Sequence, residues 1–176
     1  MIRFFDFLFS FLGLLLLFPL LISIYFINLI DTGSPLFTQK RVGQNLRSFQ
    51  LIKFRTMPMN TRSAGTHLVK NIKFTFFGHF LRRSKIDEIP QLLNVLLGDM
   101  SLVGPRPCLF NQRKLINERK KRGVFKVRPG ITGLAAINGI DMKTPTLLAK
   151  TDQKMIKNMS LYNYFYYILK TIFKII

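Results

Sequence analysis

The sequence predicts an α-rich α/β protein: a kinked apolar N-terminal helix seated in a membrane, followed by one small basic body. Three observations carry this reading. Residues 7–30 form a run of 24 residues without a charge, with Pro19 near its middle. Residues 49–57 alternate well enough for a strand or extended segment. Ile86, Ile89, Leu92, Leu93 and Leu96 recur at helical spacing and define one buried face. A chain of 176 residues holds one domain of ordinary size. The expected division is therefore a membrane segment at 1–31 and a body at 32–176.

Charge narrows the class. The chain has 27 Lys and Arg against 8 Asp and Glu, a formal charge of +19, yet 48% of it is hydrophobic and 18 residues are Phe. High apolar content joined to high positive charge fits a protein lying against an anionic lipid bilayer. Nucleic acid is the competing polyanion. It is set aside as a partner because the basic residues form no nucleic-acid motif and the apolar ends would go unexplained. The lone cysteine, Cys108, allows no intrachain disulfide and no metal cluster, which fits a reducing cytosol. His67 and His79 are isolated and read as surface or packing residues.

Taken in order, the apolar run as a helix extends roughly 36 Å, enough to cross the hydrocarbon core. A cleaved signal peptide fits less well, since the run is long and no small-residue cleavage pattern follows. Pro19 removes one backbone hydrogen bond and kinks the helix. A kinked helix can span, or turn back and leave through the face it entered, and periodicity does not separate the two. Every basic residue except Arg3 follows the run, which places the body in the cytoplasm.

Thr32-Gly33-Ser34-Pro35 reads as a turn, and residues 36–43 as a short apolar run followed by a basic one. The extended segment at 49–57 puts Lys53 and Arg55 on one side. Residues 58–70 are polar and read as a loop. Residues 74–81 read as a helix ending in Arg82 and Arg83. Pro90 is comfortable only in a first turn, so the next helix starts near Asp87 rather than at Ser84. Asp87 and Glu88 then lie beside free backbone N–H groups, a setting that also suits phosphate. Two glycines and two prolines between Gly98 and Pro107 fix a rigid loop around Arg106, whose guanidinium suits bidentate phosphate binding. A second such loop holds Arg128. Residues 160–176, with four Tyr and with Lys170 and Lys174, suit an amphipathic helix lying in the membrane interface; a core-packing terminal helix is the alternative.

The adjacent acids Asp87 and Glu88 sit among Arg82, Arg83 and Lys85 in a chain poor in carboxylates. Two acids in a basic surround suit a site that handles phosphates. The carboxylates supply a nucleophile or hold a divalent cation, and the cations neutralise phosphate oxygens. A preference for a helix N-terminus is the bland alternative.

Five motifs in sequence extend this. They are Gln39-Lys40-Arg41-Val42-Gly43, Lys53-Phe54-Arg55-Thr56-Met57, the segment from Asp87 through Pro90 to Val95, the segment from Gly98 to Pro107, and Arg128-Pro129-Gly130-Ile131-Thr132-Gly133-Leu134-Ala135. With the apolar N-terminus they resemble the monotopic phosphoglycosyl transferases, also called the bacterial sugar transferase family. The shortness of the chain looks like that family's minimal catalytic form. The resemblance implies transfer of a sugar 1-phosphate from a UDP-sugar to a polyprenyl (undecaprenyl) phosphate, releasing UMP, as the first membrane step in surface glycan biosynthesis, lipopolysaccharide or capsule. It implies Asp87 as the nucleophile of a covalent aspartyl intermediate and Glu88 as its partner, with both acids engaging Mg²⁺. It carries Lys53, Arg82, Arg83, Arg106 and Arg128 as phosphate ligands.

The resemblance also implies a re-entrant N-terminal helix that breaks at Pro19, although Phe18 stands where the family usually has Ser. Ala136 stands where many relatives have Gln, which touches the sugar-nucleotide contacts. The implied location is the bacterial inner (cytoplasmic) membrane with the body on its cytoplasmic face. Downstream glycosyltransferases and a second copy of the chain are candidate partners. The alternative from another class is a non-catalytic basic membrane scaffold that recruits glycan enzymes, but a scaffold has no need of a carboxylate pair amid cations.

Overall fold

The computed structural model describes residues 1–59 and 74–175. Most of the expected loop at 58–70, and His67 with it, lies outside the described residues. The chain opens with helix α1 (Ile2–Thr32), which runs through Pro19 as one helical element and ends where Gly33 turns left-handed at φ 73°. It is long and apolar enough to cross a membrane, and only 11% of its most apolar window is buried. Leu15, Leu16, Phe18, Phe26 and Ile30 are all exposed.

The helix is longer than the charge-free run because polar side chains at both ends tie it to the body. Near its start, buried Asp6 accepts hydrogen bonds from Ser101 Oγ (3.0 Å), Leu102 N–H (2.9 Å) and Tyr164 OH (2.9 Å). Arg3 donates to the Leu96 carbonyl at 3.1 Å. Near its end, buried Asn28 donates Nδ2 to the carbonyls of Pro35 (2.8 Å) and Arg55 (2.9 Å). A buried amide or carboxyl needs such partners, so each contact fixes a definite point of α1 on the body.

The turn at residues 32–35 leads into an antiparallel hairpin of β1 (Leu36–Val42) and β2 (Ser48–Phe54), in register from Leu36 opposite Phe54 to Val42 opposite Ser48. Helix α2 (Phe76–Arg83) follows, capped by Thr75, whose Oγ1 accepts from Gly78 N–H. Helix α3 (Gln91–Leu97) ends at left-handed Gly98. Buried Asn94 on α3 acts as a pseudo-strand against β2: its Oδ1 accepts from Ile52 N–H at 3.0 Å and its Nδ2 donates to Gln50 O at 2.8 Å. That pair sets the distance between β2 and the segment carrying the acids.

The two loops marked by glycine and proline meet. Strand β3 (Ser101–Val103) pairs in parallel with β4 (Gly130–Thr132). Gly104 N–H donates to Thr132 O (2.8 Å) and Gly130 N–H to Pro105 O (2.9 Å). A Cβ on Gly130 would lie 2.0 Å from the Gly104 nitrogen, so backbone approaches backbone here and only glycine fits. Helices α4 (Arg113–Lys121), α5 (Leu134–Ile137), α6 (Pro145–Lys157) and α7 (Leu161–Ile175) complete the fold. The terminal helix packs one face on the core and leaves the other uncovered. Tyr164 and Tyr167 are buried against Val103 and Met155, while Tyr162, Tyr166, Leu169 and Phe173 face outward.

Candidate active site

Asp87 and Glu88 do not open an α-helix as the proline argument expected. They lie in a single 3₁₀ turn, Ile86–Glu88, entered through Lys85 in the left-handed region at φ 61°. Pro90 then caps α3 from outside. Proline suits that position because it lacks a donor.

Arg106, between two prolines, donates from its guanidinium to Glu88 Oε1. Burial alone would raise the Glu88 carboxyl, but the Arg106 charge and hydrogen bond, with Lys85 and Lys53, hold it below its usual range. Glu88 in turn holds the Arg106 guanidinium above its ordinary value. Asp87 is 3% exposed, and its Oδ1 is buried without a hydrogen-bond partner among the described residues. Burial and then the neighbouring Glu88 charge raise it to about 6, against Lys53, Arg82 and Lys85. Two adjacent acids are thus driven in opposite directions by their surroundings.

Lys53 completes the cluster from β2. Burial lowers its ammonium from the ordinary value, and Asp87 and Glu88 partly restore it. Its Nζ lies 5.6 Å from the centre of the Phe37 ring, with Arg55 over the same ring at 5.5 Å, so the two cations do share a side. Arg82 stacks on Phe74 at 4.8 Å while its charge acts on Asp87. Arg83 and Lys85 line a cavity of about 690 Å³, together with Glu88 and Arg106. Leu17, Leu92, Ile137, Ile168 and Ile172 give its lining an apolar part. Ala136 lines it too. Arg128 is placed differently: its Nε donates to the Gly98 carbonyl at 2.8 Å and braces the loop that carries Arg106.

Some side chains that hold the Arg106 loop carried no assignment from sequence. Arg41 stands inside a quoted motif, yet only the fold reveals its task. Its NH1 donates to Pro107 O at 3.2 Å, and burial, followed by the Arg106 charge, lowers it to about 10. Arg119 and Asp152 had no local signal at all.

Among the described residues no three His, Cys, Asp or Glu side chains gather into a metal cage. The pair itself suits Mg²⁺, an ion that takes one or two carboxylates and fills its remaining positions with water and substrate phosphate. The partnerless Asp87 oxygen is a ligand atom of the right kind.

The family model for bacterial sugar transferases matches residues 1–176. The chain belongs to the bacterial sugar transferase family. Among similar proteins of that kind, an uncharacterized sugar transferase, EpsL, of Bacillus subtilis (strain 168) is 48% identical over 62% of this chain and 54% of its own length. The UDP-glucose:undecaprenyl-phosphate glucose-1-phosphate transferase of Xanthomonas campestris pv. campestris is 42% identical over 74% of this chain and 28% of its own. The UDP-galactose-lipid carrier transferase of Erwinia amylovora is 33% identical over 89% of this chain and 36% of its own. The chain therefore spans from about half to less than a third of the length of these relatives.

Proposed function

We propose that this member of the family transfers a sugar 1-phosphate from a UDP-sugar to a polyprenyl phosphate, giving a polyprenyl diphosphate-sugar and UMP as the first membrane step in building a surface glycan. The observation that carries this reading is the setting of Asp87. It is a buried carboxylate with one oxygen unpartnered among the described residues, ringed by Lys53, Arg82 and the Arg106–Glu88 pair, beside a cavity lined by both charged and apolar side chains.

The residues divide the work as follows. With a pKa of about 6, Asp87 is mostly ionised at neutral pH and attacks the sugar-bearing phosphorus of the donor. The new Asp87–phosphorus bond forms as the bond to the UMP oxygen breaks, and UMP leaves. A phosphate oxygen of the lipid acceptor then attacks the same phosphorus, and Asp87 departs as a carboxylate. Bringing an anion to a diphosphate requires fixed positive charge, which Lys53, Arg82 and Arg106 supply without reorganising. Glu88 holds the Arg106 fork in one orientation. Asp87 and Glu88 would hold Mg²⁺, whose charge would supply further neutralisation of the phosphate oxygens. The apolar wall of Leu17, Leu92, Ile168 and Ile172 suits the first prenyl units of the acceptor.

The bilayer enters through α1. Its exposed apolar side chains call for lipid. Asp6 and Asn28, 22 positions apart in the sequence, both bond the same polar body. At 1.5 Å per residue that separation is about 33 Å, a full hydrocarbon thickness. A helix crossing the bilayer would put the two ends on opposite faces. This supports a re-entrant α1, bent near Pro19, with the basic body on the cytoplasmic face of a bacterial inner membrane.

UMP release measured across a panel of UDP-sugars, with polyprenyl phosphate and Mg²⁺, tests the reading. One sugar or a few should release UMP, and labelled donor without acceptor should leave sugar phosphate on wild-type protein but not on Asp87→Asn. Silence across the whole panel would overturn it.

A further inference from the structure

The segment Pro105-Arg106-Pro107 has three carbonyls and a single backbone donor, since proline has no N–H. All three carbonyls are held. Gly130 N–H takes that of Pro105 at 2.9 Å, Arg119 NH1 that of Arg106 at 2.8 Å, and Arg41 NH1 that of Pro107 at 3.2 Å. Arg119 lies on α4 and is 1% exposed. On its remaining edge Nε donates to Asp152 Oδ2 of α6 at 3.0 Å, and NH2 lies 2.8 Å from the same oxygen as an ion pair without hydrogen-bond geometry; Asp152 is also 1% exposed.

An ion pair buried this deeply is weak support for stability, because desolvation offsets most of the attraction and an apolar pair of similar volume often serves as well. Its geometry points elsewhere. Asp152 fixes the plane of the Arg119 fork, the fork fixes the Arg106 backbone, and Arg106 reaches Glu88. We infer that Arg119 and Asp152 are positioning residues of the transfer reaction, acting through Arg106 although neither faces the cavity. This rests on the transfer reaction proposed above.

The test replaces the pair by apolar side chains of similar volume, Arg119→Met with Asp152→Leu. The melting temperature should stay within a few degrees of wild type, since the partners leave together. kcat for UMP release should fall about 10- to 100-fold, as when a supporting partner of an active group is removed. KM for the UDP-sugar should hold, because the interaction lost is one made in the transition state. On an Arg106→Ala background the same replacement should cost nothing further, since residues acting through one group are not additive. If the double variant does not fold, Arg119→Lys takes its place: it keeps the charge but cannot fork between Asp152 and the Arg106 carbonyl. Wild-type kcat in a folded variant, or a full additional loss on Arg106→Ala, overturns the inference.

A second arm needs no turnover. In ¹⁵N-arginine spectra, the Arg106 Nε–H resonance, identified by its absence from Arg106→Lys, should shift or broaden when the pair is replaced. An unchanged resonance overturns the positioning role. Absence of UMP release by the wild-type chain would instead count against the reaction, and the spectra would still decide the positioning.

Discussion

The guanidinium of Arg106 is bonded to Glu88, and so of two adjacent carboxylates only Asp87 keeps a buried oxygen without a partner among the described residues. That relationship divides the pair. Glu88 is held ionised as the counter-charge of Arg106, and its negative charge, added to burial, makes Asp87 the harder of the two to ionise. In the proposed reaction, the Pro-Arg-Pro loop would thus select which acid attacks.

The first prediction is a pH profile. In the proposed reaction Asp87 must be ionised to attack, and burial with the Glu88 charge pushes its carboxyl up to about 6. kcat/KM for the UDP-sugar should therefore fall below that pH by about tenfold per unit. Glu88→Gln removes the like charge and should move the limb to lower pH, though burial keeps it above the ordinary carboxylate range. A wild-type profile flat between pH 5 and 7 would contradict the assignment of Asp87.

The second concerns stability. The folded chain holds the Asp87 proton to about 6, against 3.8 for an ordinary Asp. The folded state therefore binds the proton more tightly than the unfolded state does. Ionised Asp87 opposes folding fully above about pH 6 and not at all below its unfolded value. Asp87→Asn removes that penalty, so it should raise stability at pH 7.5 by on the order of 1–3 kcal/mol while abolishing turnover. Near pH 4 the gain should vanish. Thermal unfolding of both proteins at the two pH values checks it, and a variant less stable than wild type at pH 7.5 would reject it.

How far the sequence led depends on whether a residue's task is local. Asp87, Glu88, Lys53 and Arg106 converge as their motifs imply, because glycine, proline and an adjacent acid pair are signals within a few residues. The 3₁₀ turn was not legible, since it depends on Lys85 accepting a left-handed conformation. Strand β1 was hidden by the basic run Lys40-Arg41, which breaks the alternation that revealed β2. Arg119 is one of five cations in α4 and the one that is buried, a choice made by Asp152 on a distant helix rather than by any neighbour in sequence. Asp6 likewise reads as a flank of the apolar run until β3 and α7 close over it.

Asp6 supplies the third prediction. Tyr164 is fully buried and its hydroxyl donates to Asp6 at 2.9 Å, joining the two ends of the chain. Tyr164→Phe keeps the ring and removes the donor, leaving a buried carboxyl with one bond fewer. The expected loss is about 1–3 kcal/mol, read as a lower melting temperature and earlier proteolysis of α7. Unchanged values on both counts would mean that water replaces the hydroxyl and that the contact does not hold α7 in place.

The last prediction concerns the path of α1. Asp6 and Asn28 bond one polar body from opposite ends of a helix whose flank is apolar and uncovered. Moving either side chain to the far face of a bilayer would strip a buried polar group of its partners, a loss of several kcal/mol for a carboxyl. A bend near Pro19 avoids that loss, because proline already lacks one hydrogen bond of the helical ladder. The start of α1 should therefore share the side of the body. Phe4 is 66% exposed and bonds nothing in the site, so Phe4→Cys in a Cys108→Ser background makes a reporter. In intact spheroplasts it should resist a membrane-impermeant maleimide, and after permeabilisation it should react. Labelling in sealed spheroplasts would mean that α1 crosses the bilayer, and the bonds at its two ends could not then form together.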